Sequence, residues 1–255
     1  MELRKLEVFM PTGQTYTIRE TNGEDDDIMS KVANHKDNTA IATFLSRIIV
    51  SEKVTPEQIL DWPIANKYYL LLKSRIHSLG NILKFKYDWN VPGTDETQTF
   101  EYEEDLNKYD APLKDIMAAT DPSIELKKLT PIQIRPYTFP NTLEIEHTLT
   151  TGQKIMFTRL NSHGERKAAD KPVEETTIND KLRLRDLKVL TTEHGWIKVE
   201  NFKGFSGKEM VEIRKFVEEN EVSFEMPMKI ENPNTKQVTY APLISLTDFF
   251  YPTVI

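Results

Sequence analysis

The chain has 255 residues, 38% hydrophobic and 29% charged, with no cysteine and a formal net charge of −7. The missing cysteine excludes disulfides, thiol nucleophiles and Cys-ligated zinc, and an acidic balance, with a pI near 5.4, argues against general binding to phosphate backbones. The apolar run Tyr68 to Leu72 is five residues long, against roughly 20 for a bilayer span, and Met1-Glu2-Leu3-Arg4-Lys5 has no signal-peptide core, so the expectation is a soluble cytoplasmic protein with no membrane or nucleic-acid partner.

In chain order, Leu6 to Met10, Pro11-Thr12-Gly13-Gln14 and Thr15 to Arg19 read as strand, turn and strand, with Tyr16 and Ile18 alternating with Thr15 and Thr17. A helix can start at Glu24-Asp25-Asp26-Asp27. From Thr39 to Val50, residues Ile41, Phe44, Leu45, Ile48 and Ile49 fall at helical spacing. Thr55-Pro56-Glu57-Gln58 is a capping-box start for a short helix that stops at Pro63. Ile64 to Leu79 is the strongest helix, with Tyr68, Leu71, Leu72, Arg75, Ile76 and Leu79 near one side and Gly80 as its C-terminal cap. Ile82 to Tyr87 and Thr97 to Tyr102, turned by Pro92-Gly93-Thr94-Asp95, form a second hairpin. Glu103 to Ser123 reads as a linker, with a modest helical stretch from Leu113 to Met117, and Pro131, Pro136 and Pro140 keep the chain extended.

The order then recurs. Leu143 to Leu149, Thr150-Thr151-Gly152-Gln153 and Lys154 to Arg159 are strand, turn and strand. Thr177 to Leu190 is predicted helical, with Ile178, Leu182, Arg185 and Val189 as its stripe. Ser206-Gly207-Lys208-Glu209 caps a helix running through Glu219, with Met210, Ile213, Phe216 and Val217 apolar. A hairpin begins at Val222 to Met226, turns at Glu231 to Thr235 and returns over Gln237 to Tyr240. Gly13 and Gly152, Arg75 and Arg214, Asn81 and Asn220, and Phe85 and Phe224 each stand 139 apart. A repeated order of turn, helix and strand at one offset is the footprint of duplication. The expected fold class is α+β: two similar small modules, each an antiparallel hairpin sheet packed with several short helices, over residues 1–107 and 141–255, joined by a linker over 108–140.

Chemistry is sparse. Glu24 to Asp27 could meet a divalent cation, but consecutive carboxylates point in different directions and lack the alternation of a calcium loop; an acidic first turn complementing the helix dipole is the simpler reading. His35, His77, His147, His163 and His194 are not at metal-ligand spacing, and His163-Gly164-Glu165 reads as a polar loop. No phosphate-binding loop, dinucleotide fingerprint or nucleophile elbow occurs. No catalytic, metal or cofactor residue is assigned. Arg75 and Arg214 lie near apolar helical stripes, as partner contacts or as stems packed with their heads in water; if buried, each needs a carboxylate. Phe249-Phe250-Tyr251-Pro252 cannot all point inward from a strand, so this tail docks on its own domain or on a partner.

The Thr-Gly-Gln turn before a strand ending in Arg, the helix closing in Arg and Asn before a hairpin, and the terminal Phe-Phe-Tyr-Pro together resemble the baseplate hub subunit and tail-assembly chaperone family of T-even-like contractile-tailed phages, best over Leu143 to Pro252 and more weakly over Leu6 to Leu106. Relatives carry a Cys-Xaa-Xaa-Cys-like turn in the last hairpin, where this chain has Glu231-Asn232-Pro233-Asn234-Thr235; a metal-stapled version is therefore not expected. The resemblance implies a non-enzymatic protein of tail or baseplate assembly that binds other phage tail proteins, in the host cytoplasm or in the virion. Arg75, Arg214, Phe249, Phe250 and Tyr251 are its expected contacts, with the hairpin edges. The alternatives are an unrelated cytoplasmic adaptor and a metal-dependent hydrolase using the acidic cluster.

Overall fold

The computed structural model describes residues 3–12, 14–32, 39–110, 144–169, 177–221, 226, 228–241 and 249–250. It is mixed α+β, with short antiparallel sheets and, among the described residues, no barrel. β1 (Lys5–Phe9) and β2 (Thr15–Arg19) pair as a hairpin. Then come α1 (Gly23–Val32), α2 (Thr39–Ile48), α3 (Pro56–Asp61) and α4 (Ile64–Leu79). The long hairpin of β3 (Ile82–Asn90) and β4 (Thr97–Asp105) follows, closed by a 3₁₀ turn over Leu106–Tyr109. The predicted Thr55 capping box is present, both of its hydrogen bonds formed, and Gly80 takes a φ of 86° at the end of α4, a backbone region open to glycine.

A second group begins with β5 (Glu144–Thr148) and β6 (Lys154–Thr158), followed by α5 (Ser162–Ala169), the single turn α6 (Asp180–Arg183), β7 (Lys188–Thr191), β8 (Gly195–Lys198) and α7 (Gly207–Asn220). Its four strands form one antiparallel sheet in the order β5-β6-β7-β8. The hairpin of β9 (Met228–Glu231) and β10 (Val238–Ala241) closes the order.

Two corrections concern this second group. The helix expected over Thr177 to Leu190 is only the turn α6: Asp186 adopts a φ of 45°, which ends helical backbone, and Val189 pairs with Ile155 as β7 joins the sheet. His163-Gly164-Glu165 is not a loop but the start of α5, where Asn161 Oδ1 accepts the Gly164 N–H at 3.1 Å, the work of an N-cap. A Cβ at Gly164 would stand 2.7 Å from Leu160 Cδ1 and 2.8 Å from the Leu184 carbonyl, so α5 packs at a distance only glycine permits.

The two similar modules are not borne out, although their opening hairpins share a register. Residues 5–9 and 15–19 of the first hairpin map onto 144–148 and 154–158 of the second, the same offset of 139, and in the same register, Lys5 facing Arg19 as Glu144 faces Thr158. The turn bond recurs as well: Met10 N–H to Gln14 carbonyl at 2.7 Å, and Leu149 N–H to Gln153 carbonyl at 2.8 Å. The helices α1 and α5 start at Gly23 and Ser162, again 139 apart. Beyond them the correspondence fails. The ten-residue α2 has only the four-residue α6 opposite it, and β7 and β8 have no counterpart strands in the first group. Phe224, the expected mate of Phe85, lies outside the described residues, as does most of the expected linker.

Burial forms two clusters. The first gathers Val8, Tyr16 and Ile18 of the first hairpin, the apolar face of α2, Tyr69 to Leu72 of α4, and Leu83, Phe85 and Trp89 of β3. It also takes Met226, Met228, Ile230, Phe249 and Phe250 from the far end of the chain. The second cluster holds Ile145, Leu149, Ile155 and Phe157 of the sheet against Met210, Ile213 and Val217 of α7. The stretch expected as one module over 141–255 therefore does not gather round one core. The described residues of 144–221 supply the second cluster, and chain on both sides of them supplies the first. The physical reason is the alternation in β9, whose Met228 and Ile230 are buried while Lys229 and Glu231 are exposed. That face covers β3–β4, fixed by the Tyr102 hydroxyl donating to the Glu231 carbonyl at 3.0 Å and Asn234 Nδ2 to Gln98 Oε1 at 3.1 Å.

Candidate functional site

The Thr150-Thr151-Gly152-Gln153 turn is held by α7. Glu212 accepts from the Thr150 N–H and hydroxyl, both at 2.9 Å, and faces His147 Nε2 at 3.3 Å. Glu209 accepts the Thr151 hydroxyl at 2.8 Å with one oxygen, and with the other the Ser206 N–H at 2.8 Å. The second contact is half of the capping box that starts α7. The Ser206 N–H and the Thr151 and Ser206 hydroxyls hold the Glu209 carboxyl below its ordinary range, because each bond favours the charged form. Gly152 turns the chain at a φ of 88°. On the other side, Gln153 Nε2 donates to the Leu190 carbonyl at 2.8 Å and ties the turn to β7. Removing the cap hydroxyl in Ser206→Ala is expected to lower stability by about 1 kcal/mol, read as a shifted urea midpoint with an unchanged slope.

Two shallow clefts flank this turn, sharing Gln153, Thr191 and Glu209. One, of about 580 Å³, is floored by Val189, Ile197 and Phe205 and rimmed by Lys198, Glu200 and Asn201. The other, of about 690 Å³, lies over Lys154, Leu190 and Thr192. Along the first runs β8, which pairs only with β7 among the described residues. Val199 N–H donates to the Leu187 carbonyl at 2.8 Å, and Ile197 and Gly195 continue that side of the ladder. In an antiparallel pair alternate residues turn their backbone groups outward, so Trp196 and Lys198 present theirs to the open edge. Such an edge can hydrogen-bond an added strand, and the cleft beside it can take alternate side chains.

The expected contact residues divide. Arg75 is 3% exposed, and its guanidinium donates to the carbonyls of Phe249 at 2.8 Å, Gly80 at 2.5 Å and Ile82 at 3.2 Å. Neither expected arrangement holds: the head is not in water, and three peptide oxygens meet it where a carboxylate was expected. Burial pushes the guanidinium below its ordinary value. Phe249 and Phe250, each 2% exposed, lie in the first core. Their backbone is helical, so neighbours diverge by about 100° and both can face inward. Phe250 meets Phe44 edge-on at 5.3 Å. Phe249 and Phe250 thus dock in cis. Arg214, donating to Asn179 Oδ1 at 3.2 Å, remains half-buried at the surface, and Tyr251 lies outside the described residues. Arg75 and Arg214 therefore share an offset but not a role.

Sequence reasoning missed β8 and the polar cluster on α4. The Lys67 side chain is fully buried, its ammonium 3.1 Å from Ser162 Oγ and 2.6 Å from Glu165 Oε2, while the Tyr68 hydroxyl donates to Glu165 Oε1 at 2.5 Å. Lysine beside serine is a known nucleophile arrangement, but Ser162 is 2% exposed; burial pushes the Lys67 ammonium below its ordinary value, with Glu165 opposing that shift. In the acidic cluster, Asp25 is bound by Arg19 and Arg47, and Glu24 by Arg47. Among the described residues no group of three or more acids or histidines is placed to hold a metal ion, and no helix is long and apolar enough to cross a membrane.

No family model, no curated protein and no solved structure matches the chain.

Proposed function

We propose that this is a non-enzymatic assembly protein of a contractile phage tail or baseplate, binding other tail proteins in the host cytoplasm or in the virion. The observation that carries the binding role is the open edge of β8 beside the two clefts, with outward backbone groups at Trp196 and Lys198. The sequence resemblance quoted above supplies the phage context. Arg214 is the one expected contact residue with a described surface position, and the contact surface moves from the aromatic tail to this edge.

The test is affinity capture from cells co-expressing the tail and baseplate proteins, read by mass spectrometry. Lys198→Pro removes the outward N–H without touching the ladder to β7, and Lys198→Ala removes only the side chain and its ion pair with Asp186. Tail proteins are expected on the wild type and on Lys198→Ala, and at least tenfold less on Lys198→Pro. Capture of host proteins alone would favour the adaptor. Equal capture of tail proteins by all three forms would remove the edge from the argument.

A further inference from the structure

The edge strand β8 carries residues that suit one another. Trp196 and Lys198 turn their N–H and C=O groups away from β7. Between them Ile197 is left 38% exposed, on the face of the sheet where Val189 and Phe205 floor the first cleft. A lysine on an edge strand usually guards it against pairing. Here the Lys198 ammonium is paired with Asp186 of its own chain, so its charge is answered before any partner arrives.

We infer that the occupant of this edge in the free protein is a second copy of the chain, its β8 running antiparallel about a two-fold axis at Ile197. The inference rests on the reading of β8 as a binding edge and names what binds there. One symmetric register matches both outward residues of β8 with each other. Centred on Ile197, it sets Trp196 of each copy against Lys198 of the other. Both are then hydrogen-bonded pairs, each exchanging two main-chain bonds, and the lysine stem can lie along the indole. Ile197 meets its own image in the closer, non-hydrogen-bonded position and covers hydrocarbon that each copy alone leaves in water. A shift of one residue spoils this. Centred on Lys198, the pairing sets lysine against lysine, and like charges directly opposite are destabilising. Centred on Trp196, it sets Lys198 against His194, whose N–H is already given to Thr191 Oγ1 at 3.2 Å. The chosen register joins two four-stranded sheets into one of eight strands through an isologous contact. A strand of four residues buries little surface, so the dimer is expected to be transient.

Thiol trapping tests it. The chain has no cysteine, so one introduced thiol reports its own neighbourhood. In Ile197→Cys the two thiols would face each other across the axis with Cα atoms about 4.5 Å apart, within the span that a disulfide bridges. Oxidised glutathione takes up the two electrons and both protons and leaves as two reduced molecules. A disulfide-linked species of twice 29.6 kDa is expected at least tenfold faster than in Val238→Cys, a comparably exposed apolar position on β10. Adding Lys198→Pro, which removes an outward N–H, is expected to slow the trapping at least tenfold. Sedimentation of the wild-type chain is expected to show a dimer fraction that rises with concentration. Trapping no faster than in Val238→Cys, trapping indifferent to Lys198→Pro, or a wild type monomeric at every concentration would each overturn the second copy. A monomer that still captures tail proteins, and loses them in Lys198→Pro, would give the edge to a tail protein and leave the assembly reading standing. A trapped dimer that captures no tail protein would support the inference and remove the phage reading instead.

Discussion

Arg75→Met is expected to lower the free energy of unfolding by about 4 kcal/mol, since a hydrogen bond to a charged group contributes about 1.5–3 kcal/mol and carbonyls left buried without a donor cost more still. Two of the three carbonyls are local, Gly80 at the cap of α4 and Ile82 at the start of β3, and the third, Phe249, lies 174 residues along the chain. One planar fork with five donors spans them. The variant should therefore lose more than local packing. Release of the Phe249 carbonyl frees the segment that places Phe250 against Phe44, and the first core loses two aromatic side chains. Arg75→Lys is expected to fare nearly as badly, because a single ammonium cannot reach the same three acceptors. Urea titration followed by near-ultraviolet circular dichroism reads both effects. A loss under 1 kcal/mol in Arg75→Met would show that the tail is held by its rings alone.

Local signals carried the fold as far as local physics determines it. The hairpins β1–β2, β3–β4, β5–β6 and β9–β10, the capping boxes at Thr55 and Ser206, and the Gly80 cap are each set by a few adjacent residues, and these were legible. The failures lie where a distant contact decides. Ile178, Leu182 and Val189 have helical spacing, yet Val189 finds a better partner in Ile155 across the sheet. Polar residues conceal α5, whose stability comes from the close approach at Gly164 and from Lys67 about a hundred positions earlier in the chain. Arg75 stands out for its place near an apolar stripe, but nothing local says that one of its acceptors is the Phe249 carbonyl, 174 residues on. The exposed edge at β8 is four residues, with Trp196 and Ile197 side by side, too short for alternation to declare itself. The 139-residue offset was a sound guide to β5 and β6 and a poor one beyond α5, because the second group builds a four-stranded sheet where the first uses helices.

Asp25→Asn is expected to cost about 3–5 kcal/mol at pH 7, the range for a buried charge left without its partner, and much less in acid. The Asp25 side chain is fully buried. Burial alone would raise its pKa, but Arg19 donates at 2.6 and 3.0 Å, the Asn22 N–H at 2.9 Å and Arg47 Nε at 3.4 Å. Together they outweigh desolvation and hold the carboxyl below its ordinary range. The sign follows from that direction. A folded-state pKa below the unfolded value, about 3.9, means stabilisation that is complete above the unfolded value and is lost as pH falls through the folded one. Wild type and Asp25→Asn should therefore differ fully at neutral pH and converge on acidification below about pH 4. Denaturant titrations from pH 7 downward measure the gap directly. A gap that stayed constant through the acid range would mean that shape, not charge, is what Asp25 supplies. The same residue that read as one of several interchangeable acids on a helix dipole is, in the fold, the anion that fastens β2 to α1 and α2.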